Sequence, residues 1–311
     1  MKEQLRVLTD RFVASVRGMN EAYFQHTTIF NRFGGAILTL SDRVGAPTVT
    51  AQDAARARRT AQRLNLHNED GLPVFAALCH VADEHALLRA LRARKALERR
   101  FIPSAHLTTA ALLMALNQPD TTAYDQLAAE ARETYDAMRK RFPFRTRSED
   151  IPMCVLFALW EVYQASQQLD GAMKGLQPML RSRSLGQVLL FAPEAEIQRV
   201  LELNRGLNER GLHLGKGKAL VALGALTVIP ESVDEIVDQV AAVEQRLRRV
   251  PEMSGWSVGG KERLMWSCLL TGMACADTEE QKRILTATMT ALYSAYLPAP
   301  LEEPVLNSAM N

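Results

Sequence analysis

No apolar run in this chain is long. The longest, Ala219 to Ile229, spans eleven residues, against the roughly 20 that a membrane-crossing helix needs, so no transmembrane segment is expected. Cysteine is scarce. Cys79, Cys154, Cys268 and Cys275 all sit in apolar text, and no two stand at the spacing of a zinc knuckle or a redox pair, so buried, reduced thiols are expected. Neither sign of charge dominates, with 37 Lys and Arg against 35 Asp and Glu. That balance removes the long-range field that draws a chain to nucleic acid or to an anionic membrane. Arginine supplies 29 of the 37 basic residues and is spread over the whole chain, so arginine clusters reflect composition before phosphate recognition. Strand text is nearly missing too: only LTLSDRVGAPTVT at 38–50 has that flavour, and Gly45 and Pro47 break it.

What is present is helix. The chain has 311 residues, 47% hydrophobic and 23% charged, an ordinary globular balance with enough length for a sizeable core. Tyr124, Leu127, Ala128, Ala131, Tyr135, Met138 and Phe142 recur at steps of three and four, with Asp125, Glu130, Arg132, Arg139 and Lys140 opposite. From Ser232 to about Arg249 a second stripe runs through Ile236, Val237, Val240, Val243 and Leu247, opened by a Ser232/Glu235 capping box. Thr278 with Gln281, and Thr50 with Asp53, open helices in the same way, and Gly211 reads as a helix stop.

Four segments share one plan: NLHNEDGLPVFAAL ending at Leu78, RTRSEDIPMCVLFAL at Leu159, LHLGKGKALVALGAL at Leu226 and WSVGGKERLMWSCLL at Leu270. Each passes from a short polar loop into an apolar helix, and charge-rich amphipathic helices lie between them. The leucine spacings of 81, 67 and 44 residues exclude a strict repeat. Apolar inner helices alternating with amphipathic outer ones predict an all-α fold, an irregular array or bundle of helical hairpins. One domain over residues 1–297 is expected, with a possible subdivision near 100–120. Residues 298–311, with three prolines, read as a tail.

The glycines and lysines of GLHLGKGKAL at 211–220 suggest a phosphate loop, but Gly211 to Gly215 leaves three residues where a Walker loop has four. Lys216 is followed by glycine, and no strand precedes. The stretch therefore reads as a flexible start to a buried helix. CHVADEH at 79–85 places His80 and Glu84 one turn apart, with His85 and His106 as distant further ligands, which is short of a metal site. The basic stretches at 56–63, 88–100 and 139–150 have only Phe142 and Phe144 near for base stacking. HExxH does not occur, and Trp160, Trp256, Trp266, Tyr163 and Met153 read as core filler before pocket wall. No metal and no cofactor is expected, nucleic acid is not expected as a partner, and the charged amino terminus suits the cytosol.

FPFRTRSEDIPMCVLFAL at 142–159 resembles an uncharacterised bacterial family of unknown function, DUF 4003, through Phe144, Thr146, Ser148, Glu149 and Asp150. Arg145 stands where leucine is usual there, and Arg147 interrupts the threonine and serine. An amphipathic helix at 194–210, the apolar run at 219–229 and the Trp256 region follow in a similar order, so the resemblance spans roughly residues 100–275. It implies an all-helical bacterial cytosolic protein with no established activity and no catalytic residues to carry over. The leading expectation is a helical interaction or scaffold protein, with another protein as partner. The alternative is a small-ligand or anion binder, or an enzyme, whose pocket is formed by Arg145, Glu149, Asp150, Lys216, Lys218 and Lys261 at the loop-to-helix junctions.

Overall fold

The computed structural model describes residues 2–25, 28–40, 51–63, 71–82, 84–176, 180–192, 196–254 and 258–297. Trp256, Thr50, most of the strand-like stretch at 38–50 and the 298–311 tail lie outside them. The fold is all-α, with no strand among the described residues. The helices are α1 (Glu3–Ala22), α2 (Thr28–Thr39), α3 (Ala51–Arg63), α4 (Leu72–Val81), α5 (Glu84–Glu98), α6 (Ala105–Asn117), α7 (Tyr124–Arg141) and α8 (Ile151–Leu159). They continue as α9 (Ala165–Gly175), α10 (Arg183–Leu189), α11 (Glu196–Glu209), α12 (Leu223–Thr227), α13 (Val233–Arg248), α14 (Gly260–Met273) and α15 (Glu279–Tyr296).

Alternation of apolar and amphipathic text becomes an inner and an outer layer. The even-numbered helix α8 is buried from Ile151 to Ala158, and α14 from Arg263 to Met273. Outer helices bury one stripe only, Tyr124, Ala128, Ala131 and Met138 in α7, and α13 opens with the Ser232/Glu235 capping box. Each outer helix packs on its inner neighbour, α1 on α2, α5 on α6, α7 on α8, α11 on α12 and α13 on α14.

Helix α15 lies among the inner helices. It is buried on nearly every side between Ile284 and Ser294 and packs against α8, α10, α12 and α14. Helix α2 reaches it through Phe30 and Phe33, whose rings lie 5.8 and 5.4 Å from that of Tyr293. Helix α6 reaches it through His106, whose Nε2 is 3.1 Å from the Ser294 carbonyl. Trp266 of α14, fully buried, touches Phe12 of α1 and Phe33 of α2 at 5.3 and 5.1 Å between centroids, joining the two ends of the helix series. The main apolar core accordingly runs from Leu5 to Leu297 across the 100–120 region.

The apolar layers meet closely. A Cβ at Gly272 of α14 would stand 2.3 Å from the Ala225 carbonyl oxygen of α12, a backbone atom that cannot swing away. Gly272→Ala is therefore expected to destabilise by about 3 kcal/mol or more, at the top of the overpacking range, read as a lower urea midpoint at unchanged m-value. An unchanged midpoint would show that α12 and α14 do not approach so closely.

Candidate ligand-binding site

The inner helices leave a gap beside α15. Between α2, α4, α6 and α15 lies an elongated cavity of about 340 Å³. Its wall is Phe33, Ile37 and Leu40 on α2, with Val74, Phe75 and Leu78 on α4. Leu112 and Leu113 on α6 and Leu285, Met289 and Tyr293 on α15 complete it. Threonines 108, 109, 286 and 290 and Tyr293 are the polar members, and among the described residues no Asp, Glu, His, Cys, Lys or Arg lines it. Leu40 and Leu116 form an apolar rim at one end, 46% and 44% exposed. Phe33, Gly71, Ala105 and Leu297 mark the other end.

Beyond that second end the structure turns polar. Arg32, next to Phe33, is 2% exposed, and its Nη1 donates to Glu262 Oε1 at 2.6 Å. Among the described residues Arg32 Nε has no partner, nor does the buried Nε1 of Trp266. Tyr296 packs 6.1 Å from Phe33, and burial together with the Glu262 charge raises its phenol above the usual range, the Arg32 charge opposing. Lys218 holds its ammonium 4.7 Å from the Tyr296 ring centre. The GLHLGKGKAL loop closes on Lys261: Gly215 has φ 72°, and a Cβ there would meet Lys261 Cε and Nζ at 2.8 Å. Glycine is favoured at 215 by its backbone angle.

Several inner helices begin at this end without a capping oxygen. Gly71 before α4, Gly217 before the 3-10 turn Lys218–Ala222 and Gly259 before α14 make no side-chain cap hydrogen bond. Outer helix α13 and the start of α15 carry full capping boxes instead.

The six residues expected from sequence divide into two groups about the last turns of α15. Lys218 and Lys261 meet Tyr296 and the 215 loop as described, and Lys216 is exposed in that loop. Asp150 is 2% exposed and already engaged, accepting from Arg183 Nη2 at 2.6 Å, the Arg147 N–H at 2.8 Å and Gln187 Nε2 at 2.9 Å. Burial pushes its carboxyl up to about 6, against the pull of Arg183 and the two hydrogen bonds. It ties the start of α8 to α10 and offers no free oxygen comparable with an open ligand. Glu149 lies 3.6 Å from Arg183 and within electrostatic reach of His106. Arg145 is exposed, and no contact links it to the lysines.

Arg32, Glu262 and Tyr296 were not among the sequence-based candidates, and His106 was weighed only as a distant metal ligand. Arg32 had a visible signal, a charge inside the apolar text IFNRFGGAIL, where it can only be buried with a partner. Of the other sequence readings, His80 pairs with Asp53 at 3.3 Å, while His106 is buried elsewhere. The side chains of Cys79, Asp83 and Glu84 fall outside the described residues, and among the described residues no group of three metal-binding side chains occurs. The basic stretches are laced with acids: Arg94 to Glu98 at 2.7 Å, Arg99 to Asp125 at 2.7 Å and Arg141 to Asp170 at 2.7 Å. Among the described residues, no helix is long and apolar enough to cross a membrane.

A family model described as a protein of unknown function, DUF4003, matches residues 75–295. All-helical architecture and a match over well over half its length place this chain in that class, and the chain belongs to the DUF4003 family. No curated protein and no solved structure matches it.

His106 gives the region a pH dependence. Burial lowers its pKa, with the Ser294 carbonyl opposing, so the folded state holds it neutral while the unfolded chain protonates near the ordinary value of about 6.5. Its contribution to stability is present above that value and is lost as pH falls below it. His106→Gln keeps a donor for Ser294 and removes the titration. From about pH 7.5 to about pH 5.5 the wild type should lose stability relative to this variant in urea titrations, whereas a constant gap would mean that His106 titrates normally.

Proposed function

We propose that this protein binds a small apolar ligand in the cavity between α2, α4, α6 and α15, and the cavity itself carries the reading. Protein interiors close-pack, leaving few voids larger than water. Closed and dry, about 340 Å³ of apolar void would cost on the order of 8 kcal/mol, comparable with the whole stability of a domain. The volume falls within the ~300–1,000 Å³ usual for small-molecule sites. The lining favours binding over turnover, because threonine hydroxyls with no base or acid beside them do not make a nucleophile. A bacterial cytosolic setting is supported by the family resemblance and by Cys154 and Cys268, buried as free thiols.

A neutral fluorescent probe, N-phenyl-1-naphthylamine, is expected to bind with enhanced emission. Met289→Trp, which fills the cavity from α15, is expected to weaken it at least about ten-fold, or ~1.4 kcal/mol. A wild type that leaves the probe dark, or a variant that binds it equally well, would sink this reading.

A second reading, a protein-contact surface, is favoured by Phe144. Its ring is 94% exposed on a backbone at φ 64°, a strained conformation for a bulky residue with no packing in return, which suits a side chain that anchors a partner. Phe144→Gly is expected to raise stability by up to about 1 kcal/mol in thermal unfolding, and to abolish any association in which Phe144 is the anchor. A lowered melting temperature would mean that the ring contributes to the fold and not to a surface.

A further inference from the structure

We infer that the cavity takes an anionic amphiphile with a linear apolar chain, its tail along α15 and its carboxylate or phosphate head at the Lys218–Lys261 end. This rests on the cavity being a binding site. Shape sets the tail. From Leu285 to Leu297 the cavity follows α15 for about 18 Å, at 1.5 Å per residue, and a volume of about 340 Å³ spread over that length admits a linear chain more readily than a fused-ring body. Two of the lining threonines already have partners. Thr109 donates to the Ala105 carbonyl at 3.3 Å, and Thr108 accepts from Arg94 at 3.0 Å.

Charge and unmet donors set the head. At the Phe33–Leu297 end stand the cations Arg32, Lys218 and Lys261, with the Glu262 carboxylate beside Arg32. The Glu149 and Asp150 carboxylates across α15 are tied to Arg183. Arg32 Nε and Trp266 Nε1 are buried N–H donors without acceptors among the described residues, and they flank the same ring. Arg32 precedes Phe33 in α2, and Trp266 packs on it at 5.1 Å. Orphaned buried donors are costly, and a ligand oxygen would relieve them. The starts of α4 at Gly71 and of α14 at Gly259, which have no side-chain cap, add N–H groups of the same polarity. The opposite end offers an apolar rim, and its nearby cation, Arg89, already donates to the Ala115 carbonyl at 3.3 Å.

Tetradecanoate, tetradecyl phosphate and tetradecan-1-ol are to be compared on the full chain, by displacement of N-phenyl-1-naphthylamine and by calorimetry at low salt. One or both anions should bind at least about ten-fold more tightly than the alcohol. The Lys218→Ala/Lys261→Ala double variant should bring that ratio towards one, and Lys218→Arg/Lys261→Arg should keep it. Equal binding of anions and alcohol by the wild type, or a preference lost only in Arg89→Ala, overturns the inference while the cavity remains a binding site. Failure of all three compounds and of the probe overturns both.

Discussion

Helix α15 has almost no face left for water, and the order of the other helices follows from covering it. A helix apolar on one stripe can lie on a surface, but one buried from Ile284 to Ser294 must be enclosed on all sides. The inner helices α8, α10, α12 and α14 supply much of that enclosure, and being apolar all round they need the outer amphipathic helices in turn. The α1–α2 pair, ahead of the family-matched segment, completes the arrangement through Phe12, Phe33 and Trp266. Where α2, α4 and α6 stand back from α15, a cavity remains.

Enclosure also concentrates polarity. Inner helices that run alike place their N-terminal ends together, so uncapped N–H groups, Arg32, Lys218 and Lys261 gather near the last turn of α15. Burying Arg32 is costly unless its charge is matched, and Glu262 at 2.6 Å supplies the match. On the other side of that turn, Asp150 sits with Arg183 and Gln187, a clasp that orders α8 and α10 around the same point. Position within the ring separates the two groups: Asp150 is saturated by its neighbours, while Arg32 retains an unpaired donor.

Much of this was legible in the text. Helix faces, the capping boxes at Ser232 and Thr278, the stop at Gly211 and the inner and outer character of α7, α8 and α13 follow from periodicity and cap chemistry, which act within one or two turns. Lys218 and Lys261 could be flagged because they repeat a position at similar junctions. Asp150 could be flagged in the same way, but not its saturation, since Arg183 and Gln187 lie 33 and 37 residues away. His106 looked like a surface imidazole, and only its packing against Ser294, 188 residues distant, makes it a buried neutral one.

The sequence by itself determined that the chain is helical, that α4, α8, α12 and α14 are apolar and where α13 and α15 begin, because those properties depend on neighbours three or four residues apart. Tertiary structure alone decided that the junctions meet at one end of α15, that Arg32 finds Glu262 across 230 residues, and that a gap stays open between α2, α4, α6 and α15. A cavity is set by the distances between helix axes, and no local pattern of residues encodes them.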